Sequence, residues 1–206
     1  SDLLKNKKNN ENLYFNFKKY KNPKNFENIE EFKKDQINLV HKQTGVNKSD
    51  IIFLNHHACH AHYGYFASVK GYKDCAVVTL DSDGDYINQS VWITKNDKKV
   101  LHKIRESNKC DLARIYKLTT LLLSMKPDEH EFKVMGLAPY AKHKYAKEVY
   151  ENVFKDLLQV KNCMVVHKNR PRDMYSFLKK KFEPYRFDNI AGGLQMFLEK
   201  MTEELF

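Results

Sequence analysis

A chain of 206 residues that is 42% hydrophobic and 13% aromatic can bury a proper core and is not a disordered segment. The formal net charge of +10 admits nucleic acid or an anionic substrate as a partner. The cations are mostly lysines in Lys/Asn-rich segments, however, and the arginines favoured by base- and phosphate-reading surfaces are scarce. No apolar run approaches the ~20 residues needed to cross a bilayer, and Ser1 to Lys5 lacks the charged-then-apolar layout of an export signal.

Residues 1 to about 25 read as a polar lead-in with the aromatic anchors Tyr14, Phe15 and Phe17, punctuated by Pro23. From Asn28 to Thr44 the apolar positions Ile29, Phe32, Ile37 and Val40 predict a helix, with Gly45 suited to its C-terminal cap. Ile51 to Leu54 reads as a short buried strand, and His56 to Ser68 as a helix. Cys75 to Leu80 is an apolar strand, turned by Asp81-Ser82-Asp83-Gly84-Asp85. Strands over Tyr86–Thr94 and Val100–Glu106 follow, with Asn96-Asp97 as their hairpin turn. Asp111 to Ser124 predicts a helix capped by Asp111 and stopped before Pro127, and further helices are expected over Lys144–Gln159, Arg172–Phe182 and Asp188–Leu205. An antiparallel meander between helices indicates a mixed α/β class. Cys59, Cys75, Cys110 and Cys163 form no CxxC pair; with no export signal they read as free thiols and the expected setting is cytoplasmic.

Three segments carry chemistry. His56-His57-Ala58-Cys59-His60 puts three imidazoles in five positions. On a helix His56 and His60 share a face, with His57 about 100° round, and such a pair can close on one divalent cation or sit hydrogen-bonded in a polar core. The acidic turn from Asp81 fails the EF-hand pattern, because Tyr86 and Trp92 occupy the places that need Gly and Glu. It is either an ordinary acidic turn or a strand end offering a carboxylate; in the second case Asp81 supplies an oxygen ligand to the histidines, a set suited to Fe(II), Mn or Zn. The third segment, Glu129 to Tyr140, alternates charged and apolar residues, and Gly136 and Pro139 are expected to break any regular element there. It is a packed connection or a binding loop.

Taken together, His-His-x-x-His-Ala, the Thr79-Leu80-Asp81 turn and above all Lys133-Val134-Met135-Gly136-Leu137-Ala138-Pro139-Tyr140 resemble the carbamoyltransferase family of nodulation-type, cephalosporin and aminoglycoside O-carbamoyltransferases. Asp188 to Gln195 resembles that family's Asp-x-Ala-x-x-x-Gln helix. The resemblance implies part of an actin/hexokinase-type, RNase H-like two-lobed fold. Residues 1–54 would close the first lobe, and 55–206 would carry the metal-binding helix and the second-lobe portion. It implies carbamoyl transfer from carbamoyl phosphate through an ATP-derived carbamoyl-adenylate to a hydroxyl of a sugar or other small molecule. His56, His60 and Asp81 would ligate the metal, Lys133 beside Gly136 would face the nucleotide phosphate, and His57 or His62 would deprotonate the acceptor. Departures are Ala141 where the family has Gly, a turn widened by Ser82 and Asp83, and His62-Tyr63-Gly64 after Ala61. The family's Gly-rich phosphate turns and adenylate-forming domain have no counterpart in these residues. The expectation is an internal piece that cannot turn over alone. A tRNA threonylcarbamoyl-transfer relative and a non-catalytic basic binding module are the alternatives; the first is disfavoured by the Thr-Leu-Asp turn.

Overall fold

Ile29–Thr44 form α1, with Glu30 and Glu31 in its first turn and His41 and Lys42 in its last, the charge order that suits a helix dipole. Gly45 ends it at φ +75°, a left-handed conformation that glycine enters at no steric cost, and donates its N–H to the His41 carbonyl at 2.9 Å. The structure, a computed structural model, describes residues 29–68, 74–94 and 100–206. Two units divide the chain after Phe53. The strand expected over Ile51–Leu54 does not form: the segment is irregular, and Ile52, Phe53 and Leu54 are exposed. An apolar run becomes a strand only where a neighbour satisfies its N–H and C=O groups, and no described strand pairs with it.

In the second unit, His56–Ala67 form α2, which packs on a three-stranded antiparallel meander of β1 (Ala76–Gly84), β2 (Ile87–Thr94) and β3 (Leu101–Ser107), ordered β1-β2-β3. The Asn96-Asp97 turn and the polar lead-in lie outside the described residues. The acidic turn needs correction. The β1 strand runs on through Gly84, and the chain reverses at Asp85 and Tyr86, whose φ values of 51° and 66° make a two-residue hairpin turn of matching twist. Pairing passes from Leu80↔Gln89 to Gly84↔Ile87, so Asp81, Ser82 and Asp83 oppose Asn88 alone. The acidic residues therefore form a bulge, the device that re-aims side chains at a sheet edge.

The β2 strand is buried although it carries Asn88, Gln89 and Ser90. The Asn88 amide donates to the Cys110 carbonyl at 2.5 Å and accepts its N–H at 3.0 Å. Gln89 does the same with Val165, at 2.7 and 3.0 Å. Each side chain thus acts as a strand neighbour would, satisfying a buried backbone pair.

The larger core gathers α3 (Leu112–Leu122), α4 (Glu131–Leu137), α5 (His143–Val149), β4 (Leu158–Lys161), β5 (Met164–His167), α6 (Met174–Phe182) and α7 (Phe187–Leu205). Phe154 stacks on Phe197 with centroids 5.6 Å apart. The helix predicted over Lys144–Gln159 instead widens into a π-turn over Tyr150–Phe154 and stops. The β4–β5 hairpin follows it, turned at Asn162 and Cys163 with φ 53° and 59°. Asp111 does not cap α3 by its side chain, because its carboxylate is engaged with Arg114, His167 and Arg170. The loop expected around Gly136 is the helix α4, with Pro139 in the 3-10 turn Ala138–Tyr140 that succeeds it. Two buried glycines let α7 lie against α5 and the turn before it: a Cβ on Gly192 would meet the Ala141 Cβ at 2.6 Å and the Ala146 Cβ at 2.9 Å, and one on Gly193 the Val149 Cβ at 2.8 Å. The chain is a mixed α/β protein with antiparallel sheets, and no described helix is long and apolar enough to cross a membrane.

Candidate metal centre

Asn55 starts α2, its Oδ1 accepting the Ala58 N–H at 2.9 Å in an N-cap bond. The hairpin turn braces the same end. Asp85 Oδ2 accepts from Asn55 Nδ2 at 2.9 Å and from the His56 N–H at 2.6 Å, placing a carboxylate at the positive end of the helix. Gly84 completes the seat: a Cβ there would fall 2.2 Å from His56 Cδ2, so only glycine admits the ring.

With α2 so fixed, His56, His60 and the bulge residue Asp81 meet. His56 Nε2 lies 2.6 Å from Asp81 Oδ2, His60 Nε2 lies 3.3 Å from the same oxygen, and the two ring nitrogens are 3.0 Å apart. The donor atoms converge within 4.8 Å of one another and remain partly open to solvent. The Asp81 carboxyl is raised by burial but lowered more by the His56 hydrogen bond, the Ser82 N–H and His60, and ends below its usual range. The set fits a divalent cation. At ligand distances of about 2.1 Å, cis donors of an octahedral ion stand about 3.0 Å apart, and the three separations bracket that value. Two imidazoles and one carboxylate leave further positions on such an ion open.

His57 has a different environment. It is fully buried, with Nδ1 2.6 Å from Thr79 Oγ1 and Nε2 3.1 Å from the Ile87 carbonyl. Thr79 Oγ1 is 2.6 Å from Ser90 Oγ, which accepts the Trp92 indole N–H at 2.6 Å. The indole can only donate and the Ile87 carbonyl can only accept, so one proton order satisfies every member. Trp92 donates to Ser90, Ser90 to Thr79, Thr79 to His57 Nδ1, and His57 Nε2–H to Ile87. Both ring nitrogens are committed inside the protein. His62 is exposed, donates Nδ1–H to the Ala58 carbonyl at 2.7 Å, and lies about 200° round α2 from His60. Lys133 and Gly136 are exposed on α4, Lys133 with Nζ 5.8 Å from the Phe132 ring centroid. Neither belongs to the cluster.

Gly84 and Asp85 escaped the sequence reading as parts of the centre. The available signal was a Gly-Asp pair in a polar run facing a helix start, which does not say what the carboxylate caps.

A mixed α/β unit presents a helix His-x-x-x-His pair against an aspartate in a strand bulge, a donor set suited to a divalent cation. The chain matches the family described as Carbamoyltransferase N-terminus over residues 5–205, and it belongs to that family. Among curated relatives, an uncharacterized protein of Methanocaldococcus jannaschii is 27% identical over 174 residues, covering 76% of this chain and 28% of that protein. An uncharacterized protein of Synechocystis sp. is 29% identical over 104 residues, covering 50% of this chain and 16% of the relative. The nodulation protein NolNO of Sinorhizobium fredii is 29% identical over 112 residues, covering 54% of this chain and 16% of its own length. The chain thus spans well under a third of the length of each of these relatives.

Proposed function

We propose that the protein to which this chain belongs transfers a carbamoyl group to a hydroxyl of a sugar or other small molecule, with a divalent metal, Fe, Mn or Zn, held by His56, His60 and Asp81. The observation that carries the reading is the convergence of those three donors in a chain of the carbamoyltransferase family. The donor of the group is carbamoyl-adenylate, made from carbamoyl phosphate and ATP elsewhere in the full protein. The acceptor oxygen bonds to the carbamoyl carbon and gives up its proton to solvent, while the mixed anhydride C–O bond breaks and AMP departs with the electron pair. Residues 1–54 end the first lobe of an actin-like pair, and 55–206 belong to the second.

When bound, the cation supplies Lewis acidity that polarises a carbonyl or phosphoryl oxygen. The protein's own groups orient the site. Asp85 and Asn55 hold the start of α2, Gly84 gives His56 its space, and the half-exposed donors leave room for substrate. His57 holds α2 against the sheet. Lys133 is the cation proposed to meet the leaving phosphate.

The test is metal analysis and carbamoyl transfer in the full-length protein, supplied with carbamoyl phosphate, ATP and a panel of sugars and other small hydroxyl compounds. The wild type should hold a divalent cation and transfer the carbamoyl group. His56→Ala and His60→Ala should lose both properties. Unchanged metal content in those variants would sink the reading.

A further inference from the structure

The bulge that carries Asp81 poses a mechanical problem. Between Leu80 and Gly84 the ladder with β2 is interrupted, so Asp81, Ser82 and Asp83 have no paired partners in β2 to fix the backbone. One bond from within the bulge, Ser82 N–H to Asp81 Oδ1 at 2.6 Å, orients the carboxylate relative to its own chain but does not hold that chain in place.

A side chain from another element does. Arg114, on α3, donates Nε–H to the Ser82 carbonyl at 3.0 Å. Its Nη1 is 3.3 Å from Asp111 Oδ1. Asp111 is in turn buried, 7% exposed, with its other oxygen 3.1 Å from His167 Nε2 and 3.8 Å from Arg170. A planar guanidinium held at Nη1 by a buried carboxylate and at Nε by a carbonyl spans the two in a fixed geometry, which a flexible ammonium cannot reproduce. The line of contacts runs from the β4–β5 hairpin through Asp111 and Arg114 to the carbonyl next to the aspartate of the cluster.

We infer that Arg114 is a positioning residue for the metal centre. By anchoring the Ser82 carbonyl, it holds the unpaired bulge where Asp81 Oδ2 meets His56 and His60. The inference rests on the metal reading above and adds to it a residue that touches none of the three donors. Groups that orient ligands from behind are worth about 10–100-fold in metal affinity.

The probe is Co(II) alone, titrated into the full-length protein and followed by its absorption spectrum, with melting of the metal-free protein measured alongside. Arg114→Ala should weaken Co(II) binding about 10–100-fold and alter the spectrum. Arg114→Lys, which can reach the carbonyl or Asp111 but not span both, should weaken it by less. Arg186→Ala is the control, because Arg186 is also an arginine paired with an aspartate, Asp188 with Nε 3.2 Å from Oδ1, but at the start of α7 and outside this line of contacts. It should leave affinity unchanged.

Affinity and spectrum within twofold of wild type in Arg114→Ala would overturn the inference. If that variant does not fold, the same result in Arg114→Lys would overturn it. A loss in melting temperature with unchanged Co(II) affinity also counts against it, since that is what a purely structural arginine would give. Co(II) binding that requires His56 and His60 but ignores Arg114 refutes this inference and spares the metal reading. Binding indifferent to the histidines refutes both.

Discussion

Gly84→Ala tests the geometry of the centre most directly. The added Cβ would lie 2.2 Å from His56 Cδ2 and 2.7 Å from its Cγ and Nε2. Ordinary carbon contacts begin at about 3.5 Å, so the ring must retreat by about 1.3 Å. It cannot do so freely, because the His56 N–H is tied to Asp85 and Nε2 to Asp81. Overpacking of this kind costs about 1–3 kcal/mol, which is about a 5- to 150-fold loss if metal binding must restore the native ring position. Co(II) titration of the full-length variant, with melting of the metal-free protein, measures it. Gly136→Ala is the paired control: its Cβ would meet nothing within 4 Å on an exposed helix, and it should stabilise the fold by about 0.5–1 kcal/mol without touching affinity. A folded Gly84→Ala protein that binds Co(II) within twofold of wild type would show that the ring has more room than the backbone implies.

Other changes probe the scaffold. Gln89→Leu strands the buried N–H and C=O of Val165 and should cost about 2–6 kcal/mol in urea unfolding, and a loss below about 1 kcal/mol would deny the amide its role. Gly193→Ala should lower the melting temperature markedly, because its Cβ would come 2.8 Å from Val149 Cβ and 3.0 Å from the Tyr150 backbone nitrogen; an unchanged melting curve would mean that α7 slides easily. Burial holds the His167 imidazole below its ordinary value of 6.5, outweighing the nearby Asp111 carboxylate. The folded state therefore takes up this proton less readily than the unfolded chain. The associated stability is complete above pH 6.5 and is lost as pH falls from there through the lower folded value. His167→Gln should flatten the decline in stability as pH falls below 6.5, and parallel curves for the two proteins would exclude His167 as its source.

Where the sequence was legible, one local signal sufficed. Gly45 closed α1, and an apolar run with turn residues between the segments marked the meander. The i, i+4 spacing put His56 and His60 on one face, a spacing that any helix would preserve. The acidic run was legible as a turn but not in its register, since Asp-Ser-Asp-Gly-Asp suits several hairpins equally well. What singles out Asp85 and Tyr86 is the carboxylate of Asp85 on the start of α2, a contact 29 residues distant in the chain. The β4–β5 hairpin was lost because Val153, Phe154, Leu157 and Leu158 extend a helical apolar period into it. Asn162, tolerant of positive φ, was the lone mark of its turn. The Gly192-Gly193 pair went unread, because the sequence does not show that Ala141 and Val149 would press on that face of the helix.

The histidine triplet shows why residue type alone underdetermines a site. His56, His57 and His60 are identical side chains within one turn and a half of helix, yet they have two different roles. His57 is consumed by Thr79 and the Ile87 carbonyl, through a hydrogen-bond chain that admits one proton order. Being buried and bonded at both nitrogens, it fixes the rotation of α2 about its own axis. Once that angle is fixed, His56 and His60, about 100° and 60° away, have no choice but to face the bulge. The ring least available to substrate is thus the one that aims the other two. His57→Leu, which can make neither bond, should therefore weaken Co(II) binding by the full-length protein through the angle of α2 while leaving all three donors in the chain, and a folded variant that binds within twofold of wild type would refute that role.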